Sequence, residues 1–176
     1  MDFDWWVTDL ASANPQAYKA LRTAIVWALN SQSPPLIRSG LQALVALRNS
    51  DDIASIASMT THADVGVASD ANVCLDELKY RLMTWHDRLE LVIDRSSFVR
   101  FVYALAEERD RAQEMENASP DNDQLNGALG WNNADISSYL GTFAGFLNTK
   151  SHSDLDYERP SWRLFAEALY FGKIYE

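Results

Sequence analysis

The residues that most often carry out chemistry in proteins are few in this chain and widely separated. The three histidines, His62, His86 and His152, form no His-Glu-x-x-His arrangement, and no second ligand lies at metal-binding spacing. Their spacing therefore favours ordinary surface or core histidines over metal ligands. The single cysteine, Cys74, lies on the apolar face of a predicted helix, which favours a packed small side chain over a nucleophile.

Motifs for nucleotides, calcium and acyl transfer are also missing. The seven glycines form no phosphate-binding loop, and no Gly-x-Ser-x-Gly elbow is present. The segment that starts at Asp121 begins like a calcium loop, but Leu125 and Gly127 stand where oxygen ligands would be needed. We therefore predict a protein that is not an enzyme and holds no metal or cofactor.

Acidic side chains are the dominant chemical feature. The chain has 25 Asp and Glu residues against 15 Lys and Arg residues, a formal net charge of -10 and a pI near 4.7. This balance repels nucleic acid and anionic membrane surfaces and favours basic protein partners. The apolar fraction of 47% can supply a core, and one cysteine cannot form an internal disulfide.

The acids gather in two stretches. The first runs from Glu107 to Asp123 and contains seven acids, and the second is the polar segment 150–158. Either stretch could be an ordinary solvated surface or a docking surface for a basic partner. The candidate partner-binding residues are Glu107, Glu108, Glu114, Glu116, Asp121, Asp123, Asp154, Asp156 and Glu158.

The pattern of apolar residues predicts an all-α fold. Asn14-Pro15 and Ser33-Pro34 are typical helix starts, because proline at the first helical position loses no hydrogen bond. A shorter helix follows near residues 53–59, and the next is predicted to carry apolar residues from Ala71 to Trp85. The most that we allow for β-structure is a small strand over residues 89–93.

The second half predicts three more helices. Asp94 or Ser96 can cap the first, which should give way to a solvated acidic loop within residues 107–123. Asn133 or Asp135 can cap the second. The last should direct Trp162 inward, with Arg163 bonded to a carboxylate or carbonyl group. We divide the chain into two units, 1–90 and 91–176, which could share one core.

The first unit resembles HEAT-type helical repeats. Segments 37–41 and 67–71 begin comparable helices about 30 residues apart, as stacked helical hairpins do. This likeness implies N-terminal HEAT-like hairpins packed on a small C-terminal helical unit.

The second half, residues 94–176, resembles a small bacterial family of uncharacterised function. The resemblance is carried by Ser96-Ser97-Phe98, Trp131-Asn132-Asn133, the segment Pro160-Ser161-Trp162-Arg163 and the ending Tyr175-Glu176. The family has an acid between tryptophan and asparagine, whereas Asn132 follows Trp131 directly. The family pattern describes a fold unit and no reaction.

The whole chain looks like a bacterial immunity protein of a type VI secretion or polymorphic toxin system. Such proteins are small, acidic and helical. The N-terminal residues, which include Asp2 and Asp4, are unlike a signal peptide, and no stretch is apolar enough for a membrane span, so we expect a cytoplasmic protein. The resemblance implies binding to a secreted toxin. The alternative hypothesis is a helical-repeat adaptor or scaffold for a peptide or protein.

Overall fold

A computed structural model describes residues 14–118, 127–133, 135–148 and 161–174. Within these ranges the chain is all-helical, with eight α-helices, one short 3-10 turn and no β-strand, so the all-α prediction is confirmed. Contacts divide the chain into two compact units, residues 1–83 and 84–176. This division lies a few residues before the predicted one at residue 90.

Within its described residues, 14–83, the first unit contains four α-helices, which are α1 (Pro15–Leu29), α2 (Pro34–Leu47), α3 (Asp52–Met59) and α4 (Val65–Leu82). The second contains α5 (Trp85–Glu90), α6 (Arg95–Ala118), the 3-10 turn (Ala128–Gly130), α7 (Ile136–Asn148) and α8 (Trp162–Ile174).

The helices of the first unit begin largely where local chemistry predicts. The Asn14 side chain accepts a hydrogen bond from the Ala17 amide at 3.0 Å, with proline at the next position. Asp64 does the same for α4 by accepting from the Val67 amide at 2.9 Å. Before α2, Ser33 forms no side-chain cap, and the helix begins at Pro34 without one.

The first unit packs as a chain of helix pairs, with α1 against α2, α2 against α4, and α3 against α4. The repeat pattern aligns segment 37–41 with segment 67–71, and residues of both segments lie in the core. Ile37, Leu41, Val67 and Ala71 are each 2% exposed or less. Burial of apolar surface at these positions is the main stabilising contribution. The HEAT-type description remains a prediction.

Two predictions near the boundary were wrong. Trp85 does not continue α4, because α4 ends at Leu82 and Thr84 starts α5 with a capping box formed with Asp87. Trp85 instead packs against the ring of Phe101 in the second unit at a centroid distance of 5.4 Å. Residues 89–93 are not a strand but the end of α5 and the turn after it.

The structure bears on two further predictions about the second unit. The acidic stretch that starts at Glu107 is helical through Ala118, because Ala112 is buried and Arg109 bonds to Gln113 and Glu116 along the same helix, and the rest of the predicted acidic loop lies outside the described residues. The indole of Trp162 is 42% exposed rather than directed inward. It packs on the ring of Phe98 at the surface of the unit.

An ion pair between α1 and the start of α3 provides the first test. Asp52 is 2% exposed, and its carboxylate accepts a hydrogen bond from Arg22 Nη2 at 2.7 Å. This hydrogen bond raises the pKa of the Arg22 guanidinium. We expect Arg22→Ala to lower the free energy of unfolding by about 3 kcal/mol, because it leaves a buried carboxylate without its partner.

The matched control is Arg38→Ala, since Arg38 forms the corresponding ion pair with Asp70 but is about half exposed. Urea titration followed by circular dichroism should show a much smaller loss for this control. Equal losses for the two variants would contradict the role given to burial of Asp52.

Candidate functional site

The interior of the second unit is organised around the carboxylate of Glu108 on α6. One oxygen accepts a hydrogen bond from Trp85 Nε1 at 2.7 Å, and the other accepts from Trp131 Nε1 at 3.2 Å and from the ammonium group of Lys173. Lys173 is 3% exposed, and the Glu108 side chain is 16% exposed. Both charges are therefore largely removed from water and balance each other.

Aromatic rings surround the buried ammonium group. Its nitrogen lies 5.5 Å from the ring centroid of Trp85, 5.6 Å from that of Trp131 and 5.8 Å from that of Tyr170. The negative faces of such rings attract a cation, and the attraction is larger where water is excluded. Lys173 on α8 is thereby tied to α5, to α6 and to the segment around Trp131.

The tryptophan-asparagine motif closes the end of α8. The amide of Asn132 donates to the Lys173 carbonyl at 3.0 Å, and the Asn133 side chain donates to the Gly172 carbonyl at 3.0 Å. The Asn132 side chain also donates to the Ile174 carbonyl at 3.3 Å. The last carbonyl groups of a helix lack partners within the helix, so these two asparagines satisfy them. In this chain the motif is structural.

The opposite side of α6 faces solvent and carries an aromatic ring beside acids. Val99, Tyr103, Glu107, Asp110 and Glu114 are three or four residues apart, which places them on one helix face. We call these five residues the acidic face. Tyr103 is 68% exposed and Val99 is 40% exposed, while Glu107 and Asp110 are exposed and Glu114 is half-buried. A large exposed aromatic ring among charges is typical of protein-binding surfaces.

The structure separates the predicted partner-binding acids by role. Glu107 and Glu114 lie on the acidic face, whereas Glu108 is bound inside the unit. Glu116 also bonds within the unit, to Arg109 at 3.2 Å and to the Ala128 amide at 3.1 Å. The remaining candidates lie outside the described residues; they are Asp121, Asp123, Asp154, Asp156 and Glu158.

Three members of the acidic face, Val99, Tyr103 and Asp110, were missing from the sequence-based set. Asp110 lies in the acidic stretch, and Tyr103 lies one helical turn before Glu107. The i, i+4 spacing of Tyr103 and Glu107 would have indicated this face if the acidic stretch had been taken as helix. The prediction for Arg163 agrees with the structure, because Arg163 bonds to Glu90 and Glu167.

An open groove of about 280 Å³ lies beside the acidic face, between α6, α7 and α8. We call it the side groove. Its apolar lining includes Leu105 and Ala106 of α6, Ile136 of α7 and the ring of Trp131. Ile136 is 78% exposed at the rim. Tyr139 also lines the groove; its hydroxyl donates to the Leu169 carbonyl at 2.9 Å, and burial raises its pKa to about 12.

A second groove, of about 350 Å³, lies in the first unit between α2 and α4. The ion pair of Arg38 with Asp70 lies along it, together with Val73, which is 66% exposed. Cys74 also lines it but is only 7% exposed, and burial raises the pKa of its thiol. A raised pKa lowers the thiolate fraction, so this thiol is a weak nucleophile. We call this groove the first-unit groove.

Residues suited to metal binding are not brought together in the described part of the chain. No group of three or more His, Cys, Asp or Glu side chains there is placed to hold a metal ion. His62 accepts a hydrogen bond from the Asp64 amide at 3.0 Å in a tight turn, and His86 is exposed. His152 lies outside the described residues. Within them, no helix is both long enough and apolar enough to cross a lipid bilayer.

Comparison with known proteins gives no relative. No protein-family model, curated protein or solved structure matches the chain.

The buried ion pair gives a prediction for stability. Replacing Glu108 by glutamine keeps the shape of the side chain but leaves the charge of Lys173 unbalanced in a nearly dry site. We expect Glu108→Gln to lower the free energy of unfolding by about 3 kcal/mol. The neighbouring substitution Glu107→Gln also removes one negative charge, but from the exposed side of α6. It should change the free energy of unfolding little. Urea titration monitored by tryptophan fluorescence measures both, and similar stabilities for the two variants would contradict this account.

The helix-capping acids Asp94 and Asp135 give a prediction for how the stability of the fold depends on pH. The Ser97 amide donates to Asp94 at 2.8 Å, and the Ser138 hydroxyl and amide donate to Asp135 at 2.6 Å and 2.9 Å. These hydrogen bonds lower the pKa of both carboxyl groups in the folded protein. Their contribution to stability is therefore complete above the ordinary carboxyl pKa of about 4 and is lost as the pH falls through the lowered values.

The double variant Asp94→Asn, Asp135→Asn keeps an oxygen acceptor at each cap but removes the titration. We expect its melting temperature to fall less than that of the parent between about pH 5 and about pH 2. Asp110→Asn, on the exposed side of α6, serves as the control for loss of charge. Parallel pH profiles for parent and double variant would show that the caps do not contribute in this way.

Proposed function

We propose that this chain is a non-enzymatic immunity-type inhibitor that binds and neutralises a basic toxin, such as a nuclease, in the cell that produces it. The observation that carries the proposal is the acidic face of α6, where Tyr103 stands 68% exposed next to Glu107 and Asp110. An aromatic side chain can supply much of the affinity of an interface, and the acids around it select a partner of opposite charge.

The distribution of charge supports the choice of a basic partner. Residues 84–176 contain 16 of the 25 acidic residues and 9 of the 15 basic ones, so they carry -7 of the net charge of -10. The electrostatic field of this negative charge accelerates association with a positively charged protein and slows association with acidic proteins. A nuclease fits this requirement because its substrate-binding surface must attract the phosphates of nucleic acid.

The interior of the second unit supports the same proposal. Glu108 accepts hydrogen bonds from Trp85, Trp131 and Lys173 on the buried side of α6, and these bonds favour an α6 that is ordered before a partner binds. A surface that is already ordered loses less conformational entropy on binding. An acidic face on such a helix is suited to tight inhibition of a toxin.

The test is to capture the partner from a lysate of the source cell with the tagged chain and then to express the recovered toxin with and without the chain. The proposal requires one basic protein at near-equal stoichiometry, whose toxicity the chain removes. Failure to restore growth while the two proteins bind would contradict an immunity function.

Charge reversal tests the surface. The double variant Glu107→Lys, Asp110→Lys should weaken binding to the toxin by at least about a hundredfold, mainly by slowing association at low salt. The control Asp51→Lys, Asp76→Lys makes the same change in net charge on exposed positions of the first unit. Surface plasmon resonance on both variants separates a local effect from one of total charge, and an equal loss would refute the assignment of the acidic face.

The first-unit groove favours a second candidate function, that of an adaptor binding a peptide or protein. It combines an exposed apolar side chain, Val73, with the charged pair Arg38 and Asp70. For this function Val73→Asp should abolish capture of the partner, whereas Glu107→Lys with Asp110→Lys should leave capture unchanged. The immunity function requires the opposite pattern.

A further inference from the structure

The polar groups that line the side groove are already used within the unit. The Asn133 side-chain amide donates to the Gly172 carbonyl, and the guanidinium of Arg109 bonds to Gln113 and Glu116. The carboxylate of Asp135 accepts two hydrogen bonds from Ser138. A polar metabolite would need such groups to orient it. This groove therefore fits an apolar group better than a polar small molecule.

The size of the side groove is sufficient for a single side chain. Its volume of about 280 Å³ is at the lower end of the range of small-molecule sites, which begins at about 300 Å³. Ile136 and Ala106 are exposed and offer apolar surface to a ligand that enters from solvent, while Leu105 and Trp131 of the same lining are buried. One bulky aliphatic or aromatic side chain would bury this surface.

The charges next to the groove are mainly acidic. Ala106 lines the groove, and Asp110 follows it by one helical turn on α6, where it is exposed. Asp135 lies at the start of α7 on the other side, and its hydrogen bonds with Ser138 lower its pKa, so it is charged at neutral pH. Among the described residues of the lining, the one cation is Arg109, which is balanced by Glu116. Residues beside a bound side chain would thus meet negative charge from two helices.

We propose that the side groove binds one bulky apolar side chain of the partner, flanked in the partner sequence by lysine or arginine. This inference rests on the proposed function and deepens it, since it states which feature of a basic toxin the second unit recognises. The apolar side chain buries exposed area of Ile136 and Ala106, and the negative charges of Asp110 and Asp135 attract the flanking cations.

The test uses synthetic peptides and therefore does not depend on identification of the toxin. Peptides with a central Phe, Leu or Ser between pairs of lysines, and a Phe peptide between pairs of glutamates, are titrated into the full ¹⁵N-labelled chain. We expect the indole N–H signal of Trp131 to shift with the Phe and Leu lysine peptides. Their affinity should exceed that of the Ser peptide by at least about tenfold, which corresponds to burial of one large apolar side chain.

Two substitutions in the groove and one control outside it test whether the peptides bind there. Ala106→Trp fills the groove from its exposed edge and should abolish these shifts, while Ala144→Trp, at an exposed position of α7, should preserve them. Ile136→Ser removes an exposed apolar side chain from the rim and should weaken binding without threatening the fold. Unchanged binding in Ala106→Trp would overturn the proposal.

Other outcomes distinguish this inference from the proposed function. Equal binding of the Ser peptide, stronger binding of the glutamate peptide, or no binding at all would overturn the inference. Shifts of the same signals with protein concentration alone would mean that a second copy occupies the groove, which also overturns it. If the captured toxin is neutralised equally by Ala106→Trp and the parent chain, the immunity function stands and this inference fails.

Discussion

The buried ion pair of Glu108 and Lys173 is the interaction on which the second unit depends. Removing two charges from water costs about as much as their attraction returns, so the pair adds little to stability over a matched apolar pair. The contribution of the pair is to the placement of the helices. Only one placement of α8 against α6 brings the Lys173 ammonium to a carboxylate that two indole N–H groups also contact. We interpret the pair as the feature that fixes the register of these helices.

This arrangement gives the two sides of α6 different tasks. Glu108, on the buried side, is committed to the interior, and Glu107, its neighbour in sequence, is exposed on the acidic face. Arg109 and Glu116 neutralise each other and attach the 3-10 turn through the Ala128 amide. Adjacent acids in one stretch therefore serve opposite purposes, which a count of charges in the sequence does not reveal.

The features that could be predicted from sequence are those decided by local chemistry. Asn14 with Pro15, Asp94 and Asp135 each begin a helix where their side chains can accept from backbone amides. The apolar spacing of Ile37 and Leu41 likewise identified buried positions, because only one face of a surface helix is covered.

The features that could not be predicted depend on residues distant in the chain. Trp85 was assigned to the wrong helix because its neighbours, Phe101 and Tyr170, lie far along the sequence. Glu108 looked like one more surface acid, since Lys173 and Trp131 become its partners only through tertiary packing. The acidic face was only partly identified, because recognition of Tyr103 required α6 to continue through the charged stretch.

The division after residue 83 has a consequence for synthesis of the protein. The first unit has its own core, complete once residue 83 has left the ribosome, whereas Glu108 of the second unit waits for Lys173, which is 90 residues later than residue 83. At typical elongation rates this interval lasts roughly 5 to 20 s. During this interval Trp85, and Trp131 once it has been synthesised, lack the ammonium group of Lys173 as a neighbour. The core of the second unit is therefore complete only after α8 has been made.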